Sequence, residues 1–153
     1  MMPAVPSQTA HMRTALSLAL AATLLTASAR SAGADDEPAA VAGNYDVAYA
    51  EVSNNCSVGA MSLSRGTLTV GVAGGKLTVE IDGVPRMVGA APKAGKIKAQ
   101  SEGDPSKSEK GSKFSIGGRV DGGTIKLVFD AEHYAGKKPS CTQSWTVTGK
   151  KKG

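Results

Sequence analysis

The sequence contains few residues of the types that usually carry out catalysis or hold metal ions. Its 153 residues include two histidines and two cysteines, and aromatic residues make up 4% of the chain. His133 is the only histidine after residue 34. Metal centres need several His, Cys or carboxylate ligands, and hydrolytic nucleophiles need a base beside them. We therefore expect no enzymatic activity, no catalytic residues, no metal site and no cofactor, and we interpret His133 as a surface residue.

Long apolar runs are also missing from the sequence. The most apolar stretch, residues 16–25, falls short of the ~20 residues that a transmembrane helix needs, so we expect no membrane span. Arg13 precedes this stretch, and small residues follow it up to Ala32-Gly33-Ala34, an order typical of secretory signal peptides. We predict a cleaved signal peptide over residues 1–34 and an exported protein, either secreted or periplasmic.

The charge balance gives little indication of a nucleic-acid partner. Removal of residues 1–34 leaves 119 residues (153 minus 34), which is enough for one domain. Two of the 18 basic residues, Arg13 and Arg30, leave with the signal peptide, so 16 basic groups face 13 acidic ones. Proteins that bind nucleic acids display aromatic side chains among basic ones, whereas most aromatics here occupy apolar, inward positions. We expect a monomer that does not bind nucleic acid.

The two cysteines, Cys56 and Cys141, predict one disulfide, because exported proteins fold in an oxidising environment. The bond would close a loop of 85 residues (141 minus 56), which stabilises a fold by roughly 4–5 kcal/mol in the chain-entropy model. A catalytic or metal-binding thiol is the competing interpretation, and the sequence offers it no nearby second cysteine.

Apolar residues recur at every second position from Gly43 onward, a pattern that predicts β-strands with one buried face. A first strand is expected at residues 43–52, and an Asp82-Gly83 turn predicts a two-residue hairpin. A loop is expected at 102–112 and another at 132–140. The remaining strands are expected around residues 61–72, interrupted at Gly66, and around 77–81, 86–91, 96–101, 114–120, 125–131 and 141–149.

The order of these elements predicts an all-β domain of about eight antiparallel strands in an up-and-down meander. A closed barrel is favoured over a β-sandwich, because the disulfide would tie the end of the first strand to the start of the last. We expect a flexible N-terminal arm at residues 35–42, the barrel at 43–149 and a basic tail at 150–153. The interior of an eight-stranded barrel holds packed side chains or one small ligand. The side chains expected there are Tyr45, Val47, Tyr49, Phe114, Phe129 and Trp145.

The opening Gly43-Asn44-Tyr45, which enters a first strand linked by a disulfide to the last, resembles the lipocalin-like (calycin) barrels. The export signal, the pattern of a closed sheet and the missing catalytic residues predict a non-enzymatic protein. We expect it to hold a small apolar ligand in the barrel, as the resemblance implies, or to present its loops to an exported protein partner. Exported protease inhibitors with small lipocalin-like barrels are also similar, since they place a polar arm before such a strand, here residues 35–42. They imply the alternative function, inhibition of an exported protease or other hydrolase through the arm.

An enzyme is a third hypothesis, resting on His133 or on the carboxylates of Glu80 and Asp82. These carboxylates alternate with apolar residues of the strand that contains Val79 and Ile81. The alternation places them on the solvent side of that strand, where charged groups improve solubility.

Overall fold

The computed structural model of the chain describes residues 40–107 and 111–153. The predicted signal peptide and residues 35–39 of the predicted arm lie outside the described residues. The described part contains one 3-10 turn at Pro105–Lys107 and eight strands: β1 (Gly43–Asn54), β2 (Arg65–Ala73), β3 (Lys76–Ile81), β4 (Met87–Ala90), β5 (Lys96–Ser101), β6 (Ser112–Asp121), β7 (Thr124–Ala135) and β8 (Lys138–Lys151).

Each strand pairs antiparallel with the next, and β8 returns to pair with β1, so the sheet closes into a ring. The predicted all-β, up-and-down topology is confirmed, and the sheet closes on itself as expected for a barrel rather than a sandwich. The predicted disulfide is also confirmed: Cys56 and Cys141 are bonded, with their Cα atoms 5.0 Å apart. Because each strand has two neighbours, the ring leaves no long edge open to pairing with another chain.

Two connections between neighbouring strands show how turn chemistry sets the register. Gly74 and Gly75 join β2 to β3 with φ angles of 57° and 74°, the left-handed values that a two-residue hairpin demands. The turn predicted at Asp82-Gly83 is present, since the Val84 N–H donates to the carbonyl oxygen of Ile81 at 3.1 Å. The predicted two-residue hairpin is wrong, because β4 begins only at Met87. Pro85 has no N–H to donate to a ladder, so pairing resumes after it.

The predicted break at Gly66 is also wrong. Gly66 lies in β2 and pairs regularly with Val47. The change in apolar parity arises because residues 55–64 form the connection between β1 and β2 rather than a strand. Register shifts occur instead between Glu51 and Ser53 in β1, and after His133 in β7.

The hairpin of β7 and β8 is longer than the apolar pattern predicts. The loop expected at residues 132–140 is mostly strand, with only Gly136 and Lys137 between β7 and β8. Backbone ladders need no apolar side chains, so this polar extension has no signature in the alternation pattern. At its other end, β8 includes Lys150 and Lys151, which the sequence assigned to a basic tail.

Candidate functional site

The six side chains predicted for the interior lie together in the core of the ring. Their exposed fractions are 0% for Tyr45, 4% for Val47, 8% for Tyr49, 6% for Phe114, 0% for Phe129 and 1% for Trp145. The Phe129 ring packs between its neighbours, with centroids 5.4 Å from Trp145 and 6.1 Å from Phe114. These side chains pack against one another in the interior of the ring.

Two interior tyrosine hydroxyls have different surroundings. Tyr45 donates to the carbonyl oxygen of Val41 at 2.6 Å, which fastens the end of the predicted arm to the core. Val41 itself is buried. The hydroxyl of Tyr49 is buried without a hydrogen-bond partner among the described residues. Burial raises the pKa of Tyr45 and raises the pKa of Tyr49 to about 12.

A groove of about 870 Å³ lies on the outer face of the sheet and is lined by residues of β4, β5, β6 and β7 and of the connection between β4 and β5. Its floor is set by strand register, since Gly117 pairs with Lys98 on one side and with Val128 on the other. Gly117 has no side chain, so the space between these two neighbours stays open. Val128 is 46% exposed and is one of three exposed large apolar residues in the part of the chain that the structure describes.

Three cationic residues form a row at one end of this groove. Arg119 of β6 pairs with Lys96 of β5 and with Lys126 of β7. Like charges placed directly opposite each other destabilise a sheet. No ion pair joins any of the three to an acidic residue within residues 40–107 and 111–153. Lys96, Arg119 and Lys126 together form the cation row.

The remaining charged lining residues extend this pattern. Lys93 and Lys98 add two further cations to the groove. Among the described residues, Asp130 is the only acidic one that lines the groove, and it accepts a hydrogen bond of 2.6 Å from the hydroxyl of Ser144. The groove therefore combines a strongly positive side with an apolar floor.

Two adjacent residues of β6 that line the groove, Gly117 and Gly118, are glycines for different physical reasons. A Cβ atom on Gly118 would collide with the carbonyl oxygen of Lys126 and lie 2.8 Å from Cα of Leu127. Gly118 also has a φ of 151°, which disfavours other residues. A Cβ atom on Gly117 would make ordinary contacts, 3.6 Å from the carbonyl oxygen of Ile97. The fold thus requires glycine at position 118 but not at position 117, where it only keeps the groove open.

A second polar cluster lies at one end of the ring, around the disulfide. His133 pairs with Ser112 on one neighbouring strand and with Cys141 on the other. Its Nδ1 atom is 2.9 Å from the Ser112 hydroxyl, and its ring meets Phe114 edge-on, with centroids 6.5 Å apart. His133 is half-buried rather than a surface residue as the sequence suggested. Only the register of β7 and β8 reveals that it lies opposite Cys141.

The two carboxylates of the enzyme hypothesis have different surroundings. Glu80 bonds to Arg86, with an Oε1 to Nε distance of 2.7 Å. Asp82 lies beyond the end of β3, and both acidic residues are exposed. Glu132 accepts a hydrogen bond of 3.0 Å from the hydroxyl of Tyr134, which raises the pKa of that tyrosine.

Within residues 40–107 and 111–153, no helix has the length and apolar character needed to cross a membrane. Comparisons with known proteins give no match: no family model fits the sequence, and no curated protein or solved structure is significantly similar to it.

Proposed function

We propose that this chain is an exported, non-enzymatic binding protein that holds an amphiphilic anion in the groove on its outer face. The cation row beside the open position at Gly117 is the observation that carries the proposal. The disulfide supports export, because such bonds persist in oxidising compartments.

The anionic end of the ligand is inferred from the unpaired charges. Neighbouring strands lie about 4.8 Å apart, so the backbones of the three residues of the cation row span roughly 10 Å. Their mutual repulsion weakens the sheet locally, and a bound carboxylate or phosphate would relieve it. Arg119, at the centre of the row, has the planar group that binds such anions through two parallel hydrogen bonds.

The apolar end of the ligand is inferred from the floor of the groove. Val128, Ala90 and Ala91 line it, and Gly117 leaves room for a chain to lie against them. The groove has the volume typical of small-molecule sites. Its lining contains no aromatic residue, which disfavours nucleobases. An aliphatic carboxylate or phosphate monoester has both features that the groove would recognise.

This proposal moves the apolar ligand expected from the lipocalin-like resemblance from the interior to the outer face. Aromatic side chains occupy the interior, whereas the outer groove is open and charged. The inhibitor alternative depends on the arm at residues 35–42, of which residues 35–39 lie outside the described residues, and it stays a prediction.

The test compares three probes by isothermal titration calorimetry: decanoate, decanol and acetate. Decanoate carries both features, decanol only the chain and acetate only the charge. We expect decanoate to bind at least tenfold more tightly than either control. Its affinity should fall as ionic strength rises, because salt screens exposed charges.

Two substitutions place the ligand in the groove. Gly117→Val fills the open position, where a Cβ atom makes only ordinary contacts, and it should abolish decanoate binding. Arg119→Gln should weaken binding about tenfold, the effect expected for losing one hydrogen bond to a charged group. Lys76→Gln, an exposed lysine of β3 outside the groove, is the charge-matched control and should bind normally. Equal affinity of wild type and Gly117→Val for decanoate would place the site elsewhere and refute the proposal.

A further inference from the structure

The disulfide and His133 form a compact set of metal-ligand types at the end of the ring. A ring nitrogen of His133 and the two sulfur atoms all lie within 4.8 Å of one another. All three residues are half-buried, so the cluster is shielded yet reachable from solvent. In the oxidised protein the sulfur atoms are bonded to each other.

The surroundings of His133 resemble those of a histidine ligand before its metal is bound. Metal-binding histidines usually engage one ring nitrogen in a hydrogen bond that fixes the ring and leaves the other nitrogen for the ion. Here Nδ1 contacts the Ser112 hydroxyl at 2.9 Å. The other nitrogen, Nε2, is buried and has no hydrogen-bond partner among the described residues. A buried polar atom without a partner costs free energy, which a bound ion would recover.

We propose that reduction of the Cys56–Cys141 disulfide turns this cluster into a site for one soft metal ion, Zn²⁺ or Cu⁺. The ligands are the two thiolates and His133, a set that suits both ions. Around one zinc ion, Zn–S distances are about 2.3 Å and Zn–N distances about 2.0 Å. The sulfur atoms must therefore move apart after reduction, while the imidazole already lies beside them.

The chemistry balances with a dithiol as the reductant. The dithiol gives two electrons and two protons to the S–S bond, which breaks to form two thiols, and the dithiol itself becomes a disulfide. Each thiol then loses its proton as it binds the ion, so two protons are released for each ion bound. His133 binds in its neutral form.

The bound ion would replace the disulfide as the link between β1 and β8. Cys56 follows the end of β1 and Cys141 lies near the start of β8, so the bond clips together the strands that close the ring. Reduction alone removes this covalent link between two residues that are 85 positions apart in the sequence. A metal ion held by the same two sulfur atoms restores it, because metal binding that requires the folded site contributes to folding stability.

The experiment uses the whole protein, reduced with a phosphine and desalted without oxygen, and offers it Zn²⁺ or Cu⁺ alone. Native mass spectrometry should show one ion per reduced chain and none on the oxidised chain. If the reduced chain unfolds, Trp145 emission follows the titration, and addition of the ion must restore the native spectrum. Binding of neither ion by the reduced chain, or equal binding by the oxidised chain, would overturn the proposal.

Two variants assign the ligands. His133→Asn should weaken binding of the ion by at least tenfold, as measured by competition with a chromogenic chelator. Ser112→Ala should weaken it less, since Ser112 only positions the imidazole. Both variants are first checked in the oxidised state, where an intact disulfide and native Trp145 emission establish that they fold. Unchanged affinity in His133→Asn would leave a simple dithiol and refute the three-ligand site.

Discussion

The adjacent glycines of β6 should respond in opposite ways to the same substitution. Gly117→Ala places a methyl group in the open groove, 3.6 Å from the nearest carbonyl oxygen. Gly118→Ala forces the same group into the backbone of β7, against Lys126 and Leu127. The two positions share a strand and a side-chain volume change, so each is the matched control for the other.

The magnitudes follow from these contacts. A glycine inside a strand costs about 0.5–1 kcal/mol relative to alanine, so Gly117→Ala should stabilise the protein by about that amount. At Gly118, the unfavourable φ costs about 1–3 kcal/mol. The overpacking against β7 adds about 1–3 kcal/mol. Gly118→Ala should thus destabilise the protein by about 2–6 kcal/mol, a large share of the stability of a domain this size.

Urea unfolding followed by tryptophan fluorescence measures both effects. Trp145 is the only tryptophan of the chain and is 1% exposed, so unfolding shifts its emission strongly. With a denaturant slope of about 2 kcal/mol per M, the midpoint should rise by about 0.3–0.5 M for Gly117→Ala. For Gly118→Ala it should fall by about 1–3 M.

Two outcomes would contradict the reasoning. If Gly117→Ala destabilised the protein by more than about 1 kcal/mol, the fold would require glycine at this position. The open position could then no longer be taken as support for a ligand site in the groove. If Gly118→Ala were neutral, the close approach of β6 and β7 would not constrain the ring.

Two further predictions concern the interior tyrosines. Tyr45→Phe removes the 2.6 Å hydrogen bond to Val41 and should lower the free energy of unfolding by about 1 kcal/mol. Tyr49→Phe removes a buried hydroxyl that has no hydrogen-bond partner among the described residues, so the free energy of unfolding should stay equal or rise. Urea unfolding of both variants checks these two expectations. Burial raises the pKa of Tyr49 to about 12, so the unfolded chain, in which tyrosine ionises near 10, loses its proton first. Stability should therefore decline as pH rises from about 10 to about 12, and it should decline less in Tyr49→Phe; parallel declines measured by thermal unfolding across this window would refute that assignment.

Local patterns in the sequence predicted most of the fold. The alternation of Tyr45, Val47 and Tyr49 identified a strand with one buried face, and the same period predicted the eight-stranded ring. The pattern failed near Gly66, where a connection rather than a broken strand changes the apolar parity, and near Pro85, which delays strand pairing. The polar ends of β7 and β8 gave no such signal because strand pairing there does not depend on which side chains are present.

The candidate sites depend on register, which links residues far apart in the sequence. Lys96, Arg119 and Lys126 are unremarkable exposed cations until β5, β6 and β7 align them in one row. His133 likewise becomes a candidate metal ligand only because the strand register places it opposite Cys141.

The sequence by itself determined the all-β class, most strand positions and the disulfide, because a two-residue side-chain period, turn residues and cysteine count are local properties. The tertiary structure alone decided which side of the sheet carries an open groove and which polar groups meet at the end of the ring. A register shift of one residue would reverse every side chain of a strand, so only the closed ladder of hydrogen bonds fixes these neighbours.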